Sequence, residues 1–428
     1  MERSLRAVLL GTFTLRFSTG LTGAMYALYL AHLARHGGAT VGPEIVGLFA
    51  SLFFVSELVL SPIFGILSDR LGHHRVMLYG PIFGGIAAIL TGLTVSLPVL
   101  GATRLLEGAS TAASVPSILG FIALATAGSE VLRGKAAARF EGATLAGLGV
   151  GFIVAPKLFE AIGPTAFFLN AGVYAISFLI YWRGVSDPAG ESESIVSSHV
   201  DVARYAQLVR SAHVLLLAPT WIAVNASIGL WFSQSLFQFS QRNPKFPEQT
   251  LHHGYDANQI TIAAIVIAIV FGAGLLYWGN RFKTMRRTTI ILYGILGGAV
   301  LVVAGLAVNH SGGLPVVLPI GAAIVAGGGL FVLAGATPAA LGLLADISER
   351  FPSDRGAIMG LYSVFLGIGQ ITGSLIGGFA AAWHGIDGML LATLALLAVA
   401  LLPLSRLRSQ EHEIGGPGSA TAVADVGQ

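Results

Sequence analysis

The sequence predicts an all-α polytopic membrane protein with twelve transmembrane helices in two pseudo-symmetric six-helix bundles, and three observations carry that reading. Of its 428 residues 54% are apolar and 11% charged, whereas a soluble domain carries roughly a quarter charged residues. The apolar residues form long runs, and only a helix or a closed barrel satisfies its own backbone inside lipid; a helix needs about 20 residues to cross. Short motifs from the first half also return in the second.

Twelve runs meet the length requirement: 7–33, 44–67, 76–97, 99–127, 139–162, 165–183, 211–238, 257–279, 288–308, 314–345, 356–382 and 387–405. The Gly-rich runs 99–127 and 314–345 are long enough to hide a break or a tilted helix. The first run follows Met1-Glu2-Arg3-Ser4-Leu5-Arg6 without a small-residue cleavage site, so it reads as a span and not as a removed signal. The 56 glycines suit helices that approach one another closely.

Basic residues set the expected orientation. Eighteen Lys and Arg fall in the two terminal segments and the connections on their side, against Arg35, Arg242 and Lys245 on the other. Such an excess is retained on the cytoplasmic face, so both termini are expected there, in a plasma membrane, or the inner membrane of a cell that has two. Residues 1–184 then form the first bundle, 185–210 a cytoplasmic linker, 211–405 the second bundle, and 406–428 a disordered cytoplasmic tail. Val200 to Arg210 reads equally as an interfacial helix or a solvent-facing loop.

Three echoes support the two halves. Met77-Leu78-Tyr79-Gly80 with Gly84-Gly85 returns as Ile291-Leu292-Tyr293-Gly294 with Gly297-Gly298. Asp69-Arg70 with Arg75 returns as Asn280-Arg281 with Arg286. Gly142, Gly149 and Gly151 align with Gly360, Gly367 and Gly369 at an offset of 218. Paired repeats of this kind place a central site that faces each side of a membrane in turn.

The segment Gly65-Ile66-Leu67-Ser68-Asp69-Arg70-Leu71-Gly72-His73-His74-Arg75 closely resembles the loop between the second and third helices of the major facilitator superfamily, a resemblance that covers residues 5–405. It implies that Gly65 allows close helix approach, with Gly72 in the same conformational lock. It also implies that Asp69, Arg70 and Arg75 form a charge relay locking the cytoplasmic ends of an outward-open transporter. The second-half copy has Asn280 in place of the acid, so the lock is expected in the first half. Arg104-Leu105-Leu106-Glu107-Gly108 is similar to the Arg-containing stretch of the family's fourth helix, linked to proton coupling. Gly142, Gly151 and Ala155-Pro156 resemble its antiporter motif, although Ala155 stands where Gly is usual and Leu158-Phe159-Glu160 departs from the pattern.

Charges inside spans cost several kcal/mol unless they pair or face water, so they are functional candidates. Arg16 and Glu57 both lie near mid-span and are expected to pair, with Glu57 the principal proton-coupling carboxylate. A static ion pair is the bland alternative. Arg104 and Glu107 share one face of a helix near its outer end, where snorkelling to the interface would explain either. Lys157 and Glu160 repeat that spacing and read as structural, beside Pro156, which removes a backbone donor and offers a kink or gate. The second half carries no charge expected at mid-span; Asn225, Gln234, Gln238 and Gln370 with Trp221 and Trp231 are its candidate substrate contacts, each with an interface or packing alternative.

Other classes lack support. No phosphate-cradling Gly-Lys-Ser/Thr loop and no catalytic constellation is present, so neither ATP-driven transport nor an enzyme is expected. The pairs His73-His74 and His252-His253 lack ligand spacing, so no metal site is expected, and the absence of Cys removes thiol chemistry. No cofactor is expected; a proton gradient is the expected energy source. The expected partners are the bilayer and a small amphipathic, hydrophobic or lipid-like substrate, with no nucleic acid and with oligomeric partners left open. Export by proton antiport is the leading reading. Lipid movement, proton-linked uptake of a sugar or organic anion, and a non-transporting receptor or assembly protein are the alternatives.

Overall fold

The computed structural model describes residues 2–127, 129–186, 212–281, 284–348 and 355–409. Most of the expected linker and tail, including Val200 to Arg210, lies outside them. The described residues are almost wholly helical.

In the first half the helices are α1 (Glu2–Ala31), α2 (Pro43–Leu71), α3 (His73–Met77), α4 (Tyr79–Leu93), α5 (Leu97–Ala125), α6 (Glu130–Ile162) and α7 (Ala166–Gly184). In the second they are α8 (Ala212–Phe239), α9 (Ala257–Arg281), α10 (Arg287–Asn309), α11 (Val317–Leu333), α12 (Ala336–Ser348) and α13 (Arg355–Ser409). Two helical stretches, Leu132–Gly184 and Ser363–Ser409, are far longer than one crossing needs. Each turns at a glycine with positive φ, Gly163 and Gly385, and so makes two passes.

Several boundaries differ from the sequence reading. Helix α6 begins at Glu130, not near 139, because Ser129 caps it by accepting from the Leu132 N–H at 3.3 Å. Its first turns therefore carry the basic residues Arg133, Lys135 and Arg139, which the sequence reading placed in a loop. The run 99–127 is one helix, with Pro116 inside it. The run 314–345 does contain a break, between α11 and α12 at Ala334–Gly335. There the Gly335 N–H bonds to Val332 one residue short of the α-helical acceptor, Phe331. The Trp278 indole N–H supplies the Phe331 carbonyl with a donor at 3.1 Å. Gly335 is what lets that ring approach, since a Cβ there would lie 2.6 Å from Trp278 Cγ.

The chain divides into two compact units. One holds the described residues of Met1–Ser198 with Asp256–Ala264, the other those of His199–Tyr255 with Ile265–Gln428. The start of α9 thus groups with the first unit. The first unit packs around Leu15, Met77, Phe121, Phe140, Tyr174 and Tyr181. The second packs around Trp221, Ile290, Leu343, Phe365 and Leu397 at one end, and around Leu230, Val302, Ile386 and Met389 towards the other. Many of the large side chains on the helix exteriors are apolar and exposed, among them Ile63, Leu169, Ile269, Leu276 and Val317, as a lipid-facing surface requires.

The closest helix pairings repeat between units. A Cβ on Gly147 would lie 2.6 Å from the Phe13 carbonyl, and one on Gly151 2.3 Å from that of Phe17. In the second unit the matching approaches are Gly369 to the Ile222 carbonyl at 2.8 Å and Gly373 to that of Ala226 at 2.0 Å. Glycine is needed here because backbone meets backbone. This register pairs α6 with α13 at an offset of 222, correcting the 218 taken from sequence. Gly142 and Gly149, which carried the shorter offset, face open space.

Candidate functional site

The charged centre of the first unit is built on the seam between α2 and α5. Gly108 allows it: a Cβ there would lie 2.2 Å from the Phe53 carbonyl and 3.1 Å from the Glu57 nitrogen. Ser56 Oγ donates to the Leu105 carbonyl at 2.6 Å and fixes the register. Glu57 on α2 and the Arg104–Glu107 pair on α5 consequently stand at one level of the bundle.

Arg104 and Glu107 are in direct contact and are 8% and 3% exposed, so neither snorkels to an interface. The reason is local. The guanidinium lies 4.8 Å from the Tyr26 ring centroid and 5.1 Å from that of Phe53, and these faces favour a cation already neutralised by Glu107. Tyr26 is itself held by donating to the Leu100 carbonyl at 2.9 Å. Arg104 Nε is buried without a hydrogen-bond partner, leaving the pair with unused polar capacity.

The expected Arg16–Glu57 pair does not form as a contact, since no ion pair within 4.0 Å joins them among the described residues. Arg16 is buried on α1 beside Gly147, whose Cβ would lie 2.9 Å from Arg16 Cβ. Its charge acts at longer range on Glu57 and also on Glu141 of α6, a carboxylate the sequence reading did not single out. Lys157 and Glu160 do pair, at 2.9 Å and both substantially exposed, on the surface of α6. Pro156 is buried within that helix.

The turn after α2 is organised differently from a simple relay. Gly72 has φ 93° and its N–H caps α2 on the Ser68 carbonyl. Asp69, Arg70 and Arg75 are exposed, and the His73 ring lies 3.9 Å from the Asp69 carboxylate. His73 is the anchor: its ring is buried, meets Ser68 Oγ at 3.1 Å, and packs where a Cβ on Gly120 would intrude to 2.4 Å. His74 meets the Tyr181 carbonyl at 3.0 Å. Gly65 is less tight, with 3.7 Å to Pro116. The sequence signal for these histidines is their place in the motif, whereas their spacing speaks only against a metal site. No cluster of metal-ligating side chains occurs among the described residues.

In the second unit the counterpart of the Arg16–Gly147 approach is Asn225 against Gly369, 2.5 Å to Asn225 Cβ. Asn225 donates back to the Trp221 carbonyl at 2.9 Å. Gln370 lies over Gly229 as Leu148 lies over Gly20. Gln238 donates to Gln234 at 3.2 Å one turn along α8. Trp221 is buried among Leu361, Phe365 and Leu397, and Trp231 packs beside Leu230 with its N–H donated to Thr393 at 3.0 Å. Both indoles therefore act as packing groups in this structure.

Charged mid-helix groups in one unit, neutral equivalents in the other and a twofold glycine register agree with the match of the Major Facilitator Superfamily model to residues 8–333 and 230–423. The chain belongs to this superfamily. It is a multi-pass membrane transporter and not an enzyme. It is 24% identical over 343 residues to Multidrug resistance protein 2 of Bacillus subtilis (strain 168), covering 78% of this chain and 79% of that one. With Multidrug resistance protein 1 of the same organism it shares 25% identity over 341 residues, 78% and 79% of the two chains. Its fold matches the crystal structure of nucleoside transporter NupG with a TM-score of 0.70 at 12% identity, across 96% of this chain and 99% of that one.

Proposed function

We propose that the protein exports a small amphipathic or hydrophobic molecule by proton antiport through alternating access. The observation that carries the reading is the buried Arg104–Glu107 pair beneath Tyr26 and Phe53, at one level with Glu57. Ionisable groups held at such depth are rare and mark transport or proton pathways by default. Similarity to two proteins named for multidrug resistance supports the export direction and the substrate class.

Within this reading Glu57 is the proton-coupling carboxylate. Glu107 is already neutralised by contact with Arg104, so protonating it breaks an ion pair. The carboxylate of Glu57 has no hydrogen-bonded or ion-paired partner among the described residues and feels Arg16 only at range. Substrate entry or a shift of Arg16 therefore changes its proton affinity without first dismantling a contact. A cationic substrate would compete with the proton for the same carboxylate. Asn225, Gln234, Gln238 and Gln370 remain the candidate neutral hydrogen-bonding groups of the second unit.

The test is flux into vesicles containing only this protein, with candidate amphipathic compounds and with an imposed proton gradient switched on and off. Accumulation that follows the gradient supports the proposal. Flux indifferent to the gradient removes proton coupling, and no flux for any compound while the protein is folded favours a non-transporting role.

A further inference from the structure

A second ionisable cluster lies in the second unit, where the loop after α8, the end of α10 and the turn inside α13 meet. Its centre is Asp387, 6% exposed and two residues past the break at Gly385. Asn309 donates to one carboxylate oxygen at 2.8 Å; His310 Nε2 meets the other at 2.7 Å and Gln249 donates to it at 3.3 Å. The same two amides hold backbone. Asn309 Oδ1 accepts from the Leu251 N–H at 3.0 Å, and Gln249 Oε1 accepts from the Ile386 N–H at 2.8 Å while its amide donates to the His384 carbonyl at 3.0 Å.

The charges suit their places. Asp387 stands in the first turn of the second pass of α13, and His310 caps the end of α10, so each faces the favourable end of its helix. His310 is 44% exposed in its side chain while Asp387 is 9% exposed, which leaves the imidazole open to bulk protons and the carboxylate shielded. Other titratable or charged groups here are Arg242, Lys245, Glu248, His252, His253, Tyr255 and Asp256 on the loop and His384 at the turn. His252 is buried, and burial pushes it down to about 4, so it stays neutral near neutral pH.

We propose that Asp387 and His310 form a second protonation site, whose ligand is the proton and whose effect is to fasten residues 249–252 onto the turn at Gly385. With the imidazole protonated, the contact is an ion pair and Asp387 is held in the position that orients Asn309 and Gln249. Once the imidazole is neutral only a neutral hydrogen bond remains, and the loop loosens. The ion pair is thus present on the acid side of the histidine titration and lost as pH rises. The loop charges predict this end of the unit outside, so the proton expected to be read is the external one.

The test is hydrogen exchange at Leu251 and Ile386 in the full-length protein in lipid nanodiscs, between about pH 5.5 and pH 8, corrected for the intrinsic pH dependence of exchange. Protection is expected to be about fivefold higher at the acid end, the factor a modest stabilisation gives. H310Q keeps a donor but no titrating charge and should flatten the profile at the alkaline level. H310K should flatten it at the acid level, and D387N reads the carboxylate should H310Q fail to fold. Wild-type protection that does not vary with pH overturns the proposal, as does an unchanged slope in H310Q, which would assign it to His253 or His384.

Discussion

Gly163 and Gly385, 222 residues apart, turn the chain in the same way. Gly163 has φ 58° and ψ −143° after Ile162 at −132° and 2°; Gly385 has φ 57° and ψ −137° after His384 at −147° and 34°. Only glycine adopts that region without strain, so each half uses the same device to reverse direction between its fifth and sixth passes. The offset is that of the Gly151 and Gly373 approaches, which ties the turn and the helix packing to one register.

The packing register makes an immediate prediction. Gly151→Val should lower the thermal unfolding midpoint of the purified protein sharply, because its side chain meets the Phe17 carbonyl and the Leu21 nitrogen, and overpacking costs about 1–3 kcal/mol. Gly142→Ala should leave the midpoint unchanged or slightly raised, since nothing lies within 4 Å. Equal damage from both would show that the 222 register is wrong.

Glu57→Gln should preserve substrate binding and exchange while abolishing accumulation driven by a pH gradient. Glu107→Gln should instead destabilise the protein, by about 3 kcal/mol or more, because Arg104 is left buried without its partner. Flux and unfolding measured on both variants separate the roles. Normal proton-dependent accumulation in the Glu57 variant would move the coupling assignment to Glu107.

For the turn after α2, Asp69→Asn should raise the inward-facing population without unfolding helices, read as distances between spin labels across the ends of the bundle expected to be cytoplasmic. Because Asp69 is 58% exposed and only loosely near His73, its loss should cost little stability. Distance distributions identical to wild type would remove the lock assignment.

Orientation is open to a direct measurement because the chain has no cysteine of its own. Single cysteines at Ser194 and Ser419 should react with impermeant reagents only from the cytoplasmic side. Reaction of both from outside would invert the topology, and a split result would show an odd number of passes.

The sequence by itself determined the fold class and the membrane environment. Runs of about 20 apolar residues have few ways to satisfy their backbone, and the motif at residues 65–75 pointed to the superfamily that the family match establishes. It also exposed Arg104 and Glu107, since a charge inside an apolar run is visible without coordinates. What it left undecided was distance. Whether Arg16 touches Glu57, or Arg104 turns inward beneath Tyr26, depends on how closely the helices approach, with backbone contact at Gly108 setting α2 against α5 and contact at Gly147 setting α1 against α6. The cluster at Asp387 was hidden for the same reason. Gln249, Asn309, His310 and Asp387 come from three separate connections, each ordinary in sequence, and only the meeting of helix ends makes them one hydrogen-bonded site.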